Sequence, residues 1–175
     1  EIRRSIRAYG DRPVEREKLE AVLRAGNQAP IFGRLHMSVF AGPEQLQAVD
    51  AAAVAGMARS GVPFLENLAA QEGYHPLYGA AALVVLSAPG GLDEKGFNMA
   101  NVSCAAENML LAAAGLGLGS CFLMGPMAAF SDPALRARLE LPGGYEPLVG
   151  VALGYAALER PVAPERTDAG ITWCR

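Results

Sequence analysis

Histidine is nearly missing from the chain: His36 and His75 are the only two among 175 residues. They are too few and too separated to suggest a metal site, and no HExxH run is present. Cysteine is scarce as well. Cys104, Cys121 and Cys174 form an odd set without CxxC spacing. That usage suits reduced, mostly buried thiols and excludes a disulfide frame or zinc ribbon. Together with the absence of a leader pattern at the start, it leads us to expect a cytoplasmic protein. Charge of one sign is also lacking. The net charge of −3 offers no general field for nucleic acid or a membrane surface. No Ser/His/Asp set, paired-carboxylate motif or P-loop stands out. If the protein is an enzyme, the hard chemistry falls to a cofactor. The chain opens at Glu1 without a methionine, and we expect further residues upstream.

Apolar residues are what the chain has in quantity. They make up 51%, enough for a substantial core in a single domain over residues 1–175. The centre of gravity is Asn98 to Met127. From Met109 to Phe130 no residue is charged, a length that raises the question of a membrane span. The glycines Gly115, Gly117 and Gly119, then Pro126, break any continuous helix. Glu107 and Asn108 also sit badly in lipid. We expect a buried helix, Asn98 to Leu116, and a buried strand, Ser120 to Met124, in an α/β (α+β) domain. A helix apolar on nearly every face needs cover on every face. A second copy of the chain is the simplest cover, so a homodimer is expected.

Around that centre the pattern alternates. Val14 to Ala25 has a helical apolar stripe, with Val14, Leu19, Val22 and Leu23 on one side. His36 to Ala41 reads as a strand, and Gly42 to about Arg59 as an alanine-rich helix. Phe64 to Gln71 reads as a helix and Gly73 to Gly79 as an irregular loop. Ala81 to Ser87 is an uninterrupted apolar strand, as in a sheet covered on both faces. Asp132 to Leu139 is a short helix capped by Asp132, with Pro133 in its first turn. Pro147 to Gly154 is the last core strand. The tail from about 157 to 175 is expected to dock on the partner subunit.

Arg3, Arg4, Ser5 and Arg7 form a compact anion-binding set. Arginine gives forked, charge-assisted hydrogen bonds and serine a neutral donor. A solvated basic helix end fits the same residues. Leu116-Gly117-Leu118-Gly119-Ser120 has the look of a phosphate turn, but a helix precedes it and a strand follows. A helix C-cap fits that order better. Asn101, Cys104, Ala105 and Asn108 share one stripe of the central helix. Their amides either bond backbone or a second subunit, or line a cofactor pocket. Glu107 reads as an interface ion pair or a catalytic acid.

Six pieces in order resemble the nitroreductase family of FMN-dependent homodimeric reductases. Arg3-Arg4-Ser5-Ile6-Arg7-Ala8-Tyr9 is similar to its opening RRSxRxF/Y, and Asp11, Pro13 and Val14 to its DxPV. Ala29-Pro30 resembles its AP, and Ala105 to Ala113 its AAxNxLLAA helix. Leu116 to Cys121 resembles LGLGSxW, and Val151 to Tyr155 its closing strand. The resemblance implies a mixed sheet flanked by helices, an intertwined homodimer, and FMN at the dimer interface. It implies that Arg3, Arg4, Ser5, Arg7 and Arg166 hold the FMN phosphate and ribityl chain. Pro30, Ile31 and Phe32 would approach the flavin from the other subunit. Met124 and Gly125 would lie against the ring, with the Gly125 amide near N5. The implied activity is hydride transfer from NADH or NADPH through flavin N5 to a nitroaromatic, quinone or similar small acceptor. A flavin store or sensor without turnover, or dehalogenase or flavin-modifying chemistry, are the other implied readings. The chain departs from the family's SxxNxQPW, with Arg34 and His36 in place of asparagine and glutamine. Met124 stands where many relatives carry an acid.

Overall fold

The structure, a computed structural model, describes residues 3–90, 96–158 and 170–174. Four strands form one sheet in the order β1-β2-β4-β3, every neighbouring pair antiparallel. They are β1 (His36–Phe40), β2 (Ala82–Pro89), β3 (Gly119–Leu123) and β4 (Tyr145–Gly154). β2 and β4 are the inner pair. Their near-continuous apolar runs follow from cover on both faces. Side chains alternate across the sheet. Leu83, Val85, Cys121, Leu123 and Ala152 point into one core, with Phe40, Val49 and Phe130. Ala82, Val84, Leu86, Val151 and Leu153 point into the other, with Val22, Val102 and Met109.

The second core lies under α1 (Arg16–Asn27) and α4 (Phe97–Gly115), which pack on each other. The close approach depends on Gly26, where an added Cβ would meet the Met109 side chain at 2.8 Å. Asn108 ties the pair, donating from Nδ2 to the Ala25 carbonyl at 3.2 Å. The first core lies under α2 (Pro43–Met57), α5 (Pro133–Ala137) and a 3-10 helix, Gly125–Ser131. That 3-10 helix was not expected from the sequence, which read Gly125-Pro126 only as a stop. α3 (Pro63–Ala69) packs on α2 and has no buried residue. Among the described residues, no helix is long and apolar enough to cross a membrane.

α4 ends as its glycines suggest. Gly117 is left-handed (φ 75°). Leu118 N–H reaches back to the Ala113 carbonyl at 2.9 Å and Gly117 N–H to Ala114 at 3.2 Å. This is a Schellman cap leading into β3, so the GxGxS run is a turn. Asp132 caps α5 as expected, its carboxylate accepting from the amides of Ala134 and Leu135 at 2.8 and 3.1 Å.

The basic N-terminal stretch is not a helix end. It is extended, and Ser5 forms a parallel bridge with Ser120 at the outer edge of β3. Ile6 N–H donates to the Ser120 carbonyl at 2.9 Å. Farther on, Tyr9 bridges Ala156 beyond the end of β4. Gly10 N–H donates to Tyr155 at 2.9 Å, and Ala157 N–H to Ala8 at 3.0 Å. The parallel contact makes the arrangement mixed, although all four main strands are antiparallel.

Candidate functional site

The docking of residues 3–10 rests on two absent side chains. A Cβ at Gly119 would lie 2.9 Å from Ile6 Cγ1, and one at Gly154 would lie 2.7 Å from Tyr9 Cδ1. Both apolar anchors, Ile6 and Tyr9, are 8% exposed. The extended backbone then sorts the remaining side chains by its period of two. Arg3, Ser5 and Arg7 share one side. Arg4 takes the other, where it lines a hollow of about 90 Å³ with Ile6, Ala114, Gly117 and Leu118. A cation at that place suits the C-terminal end of α4.

Three of the four N-terminal residues singled out from the sequence therefore converge, and Arg4 turns away from them. Arg3 Nε lies 3.4 Å from Glu107 on α4. Ser5 lies against the Cys121 thiol, which burial pushes above its usual range while Arg7 and Ser5 act in the opposite direction. Arg7 is exposed and makes no ion pair or hydrogen bond among the described residues. A guanidinium held on a pinned backbone without a carboxylate is available to an anion.

β3 runs from this basic end to Met124 and Gly125. Met124 is 56% exposed. Gly125 opens the 3-10 helix, so its amide has no partner within that helix. An added Cβ there would touch Met57 Cε at 3.4 Å and Leu65 Cδ2 at 3.7 Å. Gly125 thus packs on the buried Met57 and the half-buried Leu65, beside the exposed Met124.

Pro30, Ile31 and Phe32 are placed elsewhere in the protomer. Asn101 clamps this loop: Phe32 N–H donates to Asn101 Oδ1 at 3.1 Å, and Asn101 Nδ2 donates to the Phe32 carbonyl at 2.5 Å. The Phe32 ring, 80% exposed, lies 6.1 Å from the Phe97 ring between centroids. Both asparagines of the α4 stripe therefore serve backbone carbonyls or amides, and Glu107 is an ion-pair partner. Arg34 is exposed and has no ion-pair partner among the described residues. His36 is a tether, with Nε2 3.1 Å from the Leu139 carbonyl, which also accepts from Ser38 Oγ at 2.7 Å. Arg166 lies outside the described residues. From the tail, Ile171 and Trp173 are exposed.

The loop at residues 73–79, read from the sequence only as irregular, is tightly held. Asp50 anchors it, accepting from His75 Nδ1 at 2.7 Å and from Leu77 N–H at 2.8 Å. Tyr78 is left-handed (φ 56°), as is Gly79 (φ 75°). For a tyrosine that is strain, of order 1–3 kcal/mol. Gly79 faces the Tyr9 carbonyl, 3.9 Å from an added Cβ. The Tyr74 and Tyr78 rings meet edge-on at 6.4 Å. Burial, then the neighbouring Tyr78, pushes the Tyr74 phenol up to about 12, and the Arg7 charge acts against that rise. Nothing in the composition of Gly73 to Gly79 separates it from an ordinary loop.

Comparison with known proteins identifies the family of the chain. The chain matches the Nitroreductase family over residues 1–155. It is 32% identical over 163 residues to an Archaeoglobus fulgidus protein provisionally named NADH dehydrogenase/NAD(P)H nitroreductase, across 90% of this chain and 83% of the other. A Bacteroides fragilis nitroreductase solved with bound FMN is 30% identical, with a TM-score of 0.84 over 99% of this chain and 95% of that one. A Desulfitobacterium hafniense nitroreductase has a TM-score of 0.85 at 24% identity, over 99% of this chain and 94% of that one, and shares the fold. The anion-ready Arg3–Arg7 segment, the turn into β3 and the Met124–Gly125 ledge thus sit in a chain that belongs to the nitroreductase family.

Proposed function

We propose that the protein is an FMN-dependent oxidoreductase, working as a homodimer, that uses NADH or NADPH to reduce a small acceptor such as a nitroaromatic or quinone. The observation that carries this reading is the joining by β3 of a basic end, Arg3, Ser5 and Arg7, to an apolar end with a presented amide, Met124 and Gly125. The residues present fit FMN. A phosphate asks for guanidiniums and a hydroxyl, and Arg7 has no ion-pair or hydrogen-bond partner among the described residues. A flavin ring asks for apolar cover and a donor at its edge, which the exposed Met124, the half-buried Leu65 and the Gly125 amide would provide. When bound, the flavin supplies the redox chemistry, taking two electrons from the nicotinamide and giving them to the acceptor.

The chain's own share is binding, orientation and electrostatics. Arg3 and Arg7 neutralise the phosphate. The Gly125 N–H and nearby cations favour negative charge on a reduced ring. No side chain is needed as an obligatory acid or base. The outward stripe of α4 supports the homodimer: Met99, Ala100, Glu107, Leu111 and Gly115 are exposed at helical spacing, and Leu111 is 54% exposed. An apolar helix face of this kind is covered by a partner more readily than by water. In the dimer, Pro30, Ile31 and Phe32 reach the ring bound by the other subunit, Arg166 adds a phosphate contact, and the last segment through Trp173 embraces the partner.

Titration of the protein with FMN, followed by quenching of flavin fluorescence, tests the reading. Wild type takes up FMN, and Arg7→Ala weakens binding by about tenfold or more, the size of a charge-assisted hydrogen bond. A protein that takes up no FMN overturns the proposal.

A further inference from the structure

We propose that α3 is a lid over the place where the acceptor meets the flavin, and that its Leu65 sets the size of the planar, uncharged acceptor admitted. This rests on the FMN reading above and deepens it by naming the element that selects the acceptor.

Met57 and Leu65 both stand against Gly125, at 3.4 and 3.7 Å from an added Cβ, and they differ in kind. Met57 is fully buried and belongs to α2, along which the 3-10 helix of Gly125 packs. It is floor and has nowhere to retreat. Leu65 is half-buried and belongs to α3. Beside them Met124 is 56% exposed. A ring lying along Met124 and the Gly125 amide therefore has Leu65 as a neighbour, and an acceptor stacked on that ring shares the space with it.

α3 is held lightly. None of its seven residues is buried, although it packs on α2. The chain enters through Gly61 and leaves through Gly73, both left-handed (φ 70°) and both with open space where a Cβ would be. At the entry the ties are exposed hydrogen bonds, Gly61 N–H to Glu66 Oε1 at 3.0 Å and Val62 N–H to Ser60 Oγ at 3.2 Å. An element with few buried apolar contacts opens at low free energy. Beyond Gly73 the chain is fixed again, where Asp50 holds His75 and the Leu77 amide and Leu77 is 2% exposed. A loose segment between a fixed helix and a fixed loop, with its inner side chain on Gly125, is placed to move as a lid.

The lid's chemistry selects the ligand. Val62 and Phe64, 46% and 69% exposed, carry apolar surface into water next to Leu65 in the chain. Glu66 is the one charged residue from Ser60 to Ala70, and its carboxylate is taken by the Gly61 amide. Hydrocarbon without a cation suits an uncharged planar ring and gives an anion nothing to pair with.

The test compares kcat/KM for two quinones that differ by one fused ring, duroquinone and a dimethylnaphthoquinone, on FMN-loaded protein. Leu65→Ala is expected to raise the ratio of the larger to the smaller by about tenfold, the scale on which an apolar pocket discriminates. Leu65→Phe is expected to lower it. General damage to activity cancels in the ratio, so a ratio that does not move in opposite directions in the two variants overturns the inference. A second measurement uses unsubstituted protein with oxidised FMN, which has no electrons to give the quinone. At about ten times its dissociation constant, the dimethylnaphthoquinone is expected to slow amide hydrogen exchange over α3 by about tenfold. Exchange over α3 that the quinone leaves unchanged overturns the inference. Failure of the FMN reading itself looks different: wild type then takes up no flavin.

Discussion

Replacing Gly154 with alanine tests how the N-terminal segment is held. The new methyl would sit 2.7 Å from Tyr9 Cδ1, 3.2 Å from Cγ and 3.3 Å from the Ala81 amide nitrogen. Carbon atoms rest at about 3.5–4.0 Å, so the ring must retreat by about 1 Å. It has little room. Tyr9 is 8% exposed and sits in the core with Leu77, Leu83, Cys121 and Ala152. Its backbone is fixed on one side by the Ala8–Ala157 bond and on the other by the Gly10–Tyr155 bond. Overpacking of this kind costs about 1–3 kcal/mol. Alanine returns up to about 1 kcal/mol by restricting the unfolded chain. Gly154 is not left-handed, so no backbone strain enters. The net loss is about 1–2 kcal/mol, read in urea titrations as a lower midpoint at unchanged slope. Thermal unfolding should shift down by about 2–8 °C. Arg7 is two positions from Tyr9, so FMN affinity should fall with stability. Pairing the substitution with Tyr9→Leu should relieve the clash, with a coupling of about 1 kcal/mol in a double-mutant cycle. A Gly154→Ala protein as stable as wild type, with unaltered FMN affinity, would refute this view of the docked segment.

Other outcomes follow from particular contacts. Gly56→Ala would drive a methyl into the Ala128 carbonyl, where backbone cannot yield, and should cost about 3 kcal/mol in the same urea assay. Glu107→Gln removes the carboxylate beside Arg3 at a half-exposed position. FMN affinity should rise by up to about fivefold at low salt, and the difference should vanish near 1 M salt as screening takes over. Glu15 is held down to about 2, first by the hydrogen bond from Tyr155 and then by its own backbone and Arg12. Its folded value is depressed, so its contribution is present above about pH 4.5 and is lost as pH falls toward about 2. Tyr155→Phe should flatten stability against pH within that window, measured by urea midpoints at several pH values.

The elements with strong periods were legible in the sequence. α1 declared itself through Leu19 and Val22, β2 through its continuous apolar run, and the end of α4 through Gly117. Asp132 and Pro133 marked α5. The basic segment was legible as a cluster of cations but not as an extended segment bridged to the sheet. Arg3 to Arg7 alternates over too few residues for a period to show, and its pairing partner, Ser120, lies far along the chain. Gly119 and Gly154 read as turn and strand-end glycines because a close approach leaves no local signature; the side chains that need the space, Ile6 and Tyr9, are remote in sequence. The 3-10 helix after Gly125 was hidden by Pro126, which ends helices and also starts them. The turn at Tyr78 was hidden for a related reason: Tyr78 adopts a conformation that sequence propensities assign to glycine, and the contacts of its loop with Asp50 and Tyr9 are tertiary.

The central claim, a flavin site that turns over, is tested most directly by anaerobic spectroscopy. Protein reconstituted with FMN is mixed with NADH or NADPH in the absence of oxygen, and the yellow flavin absorbance is followed. The expected result is bleaching of the bound flavin by one or both nucleotides, and return of the colour when a quinone or nitroaromatic is added. Protein that binds FMN but keeps its colour with both nucleotides would contradict the oxidoreductase reading and leave a flavin-binding protein without turnover.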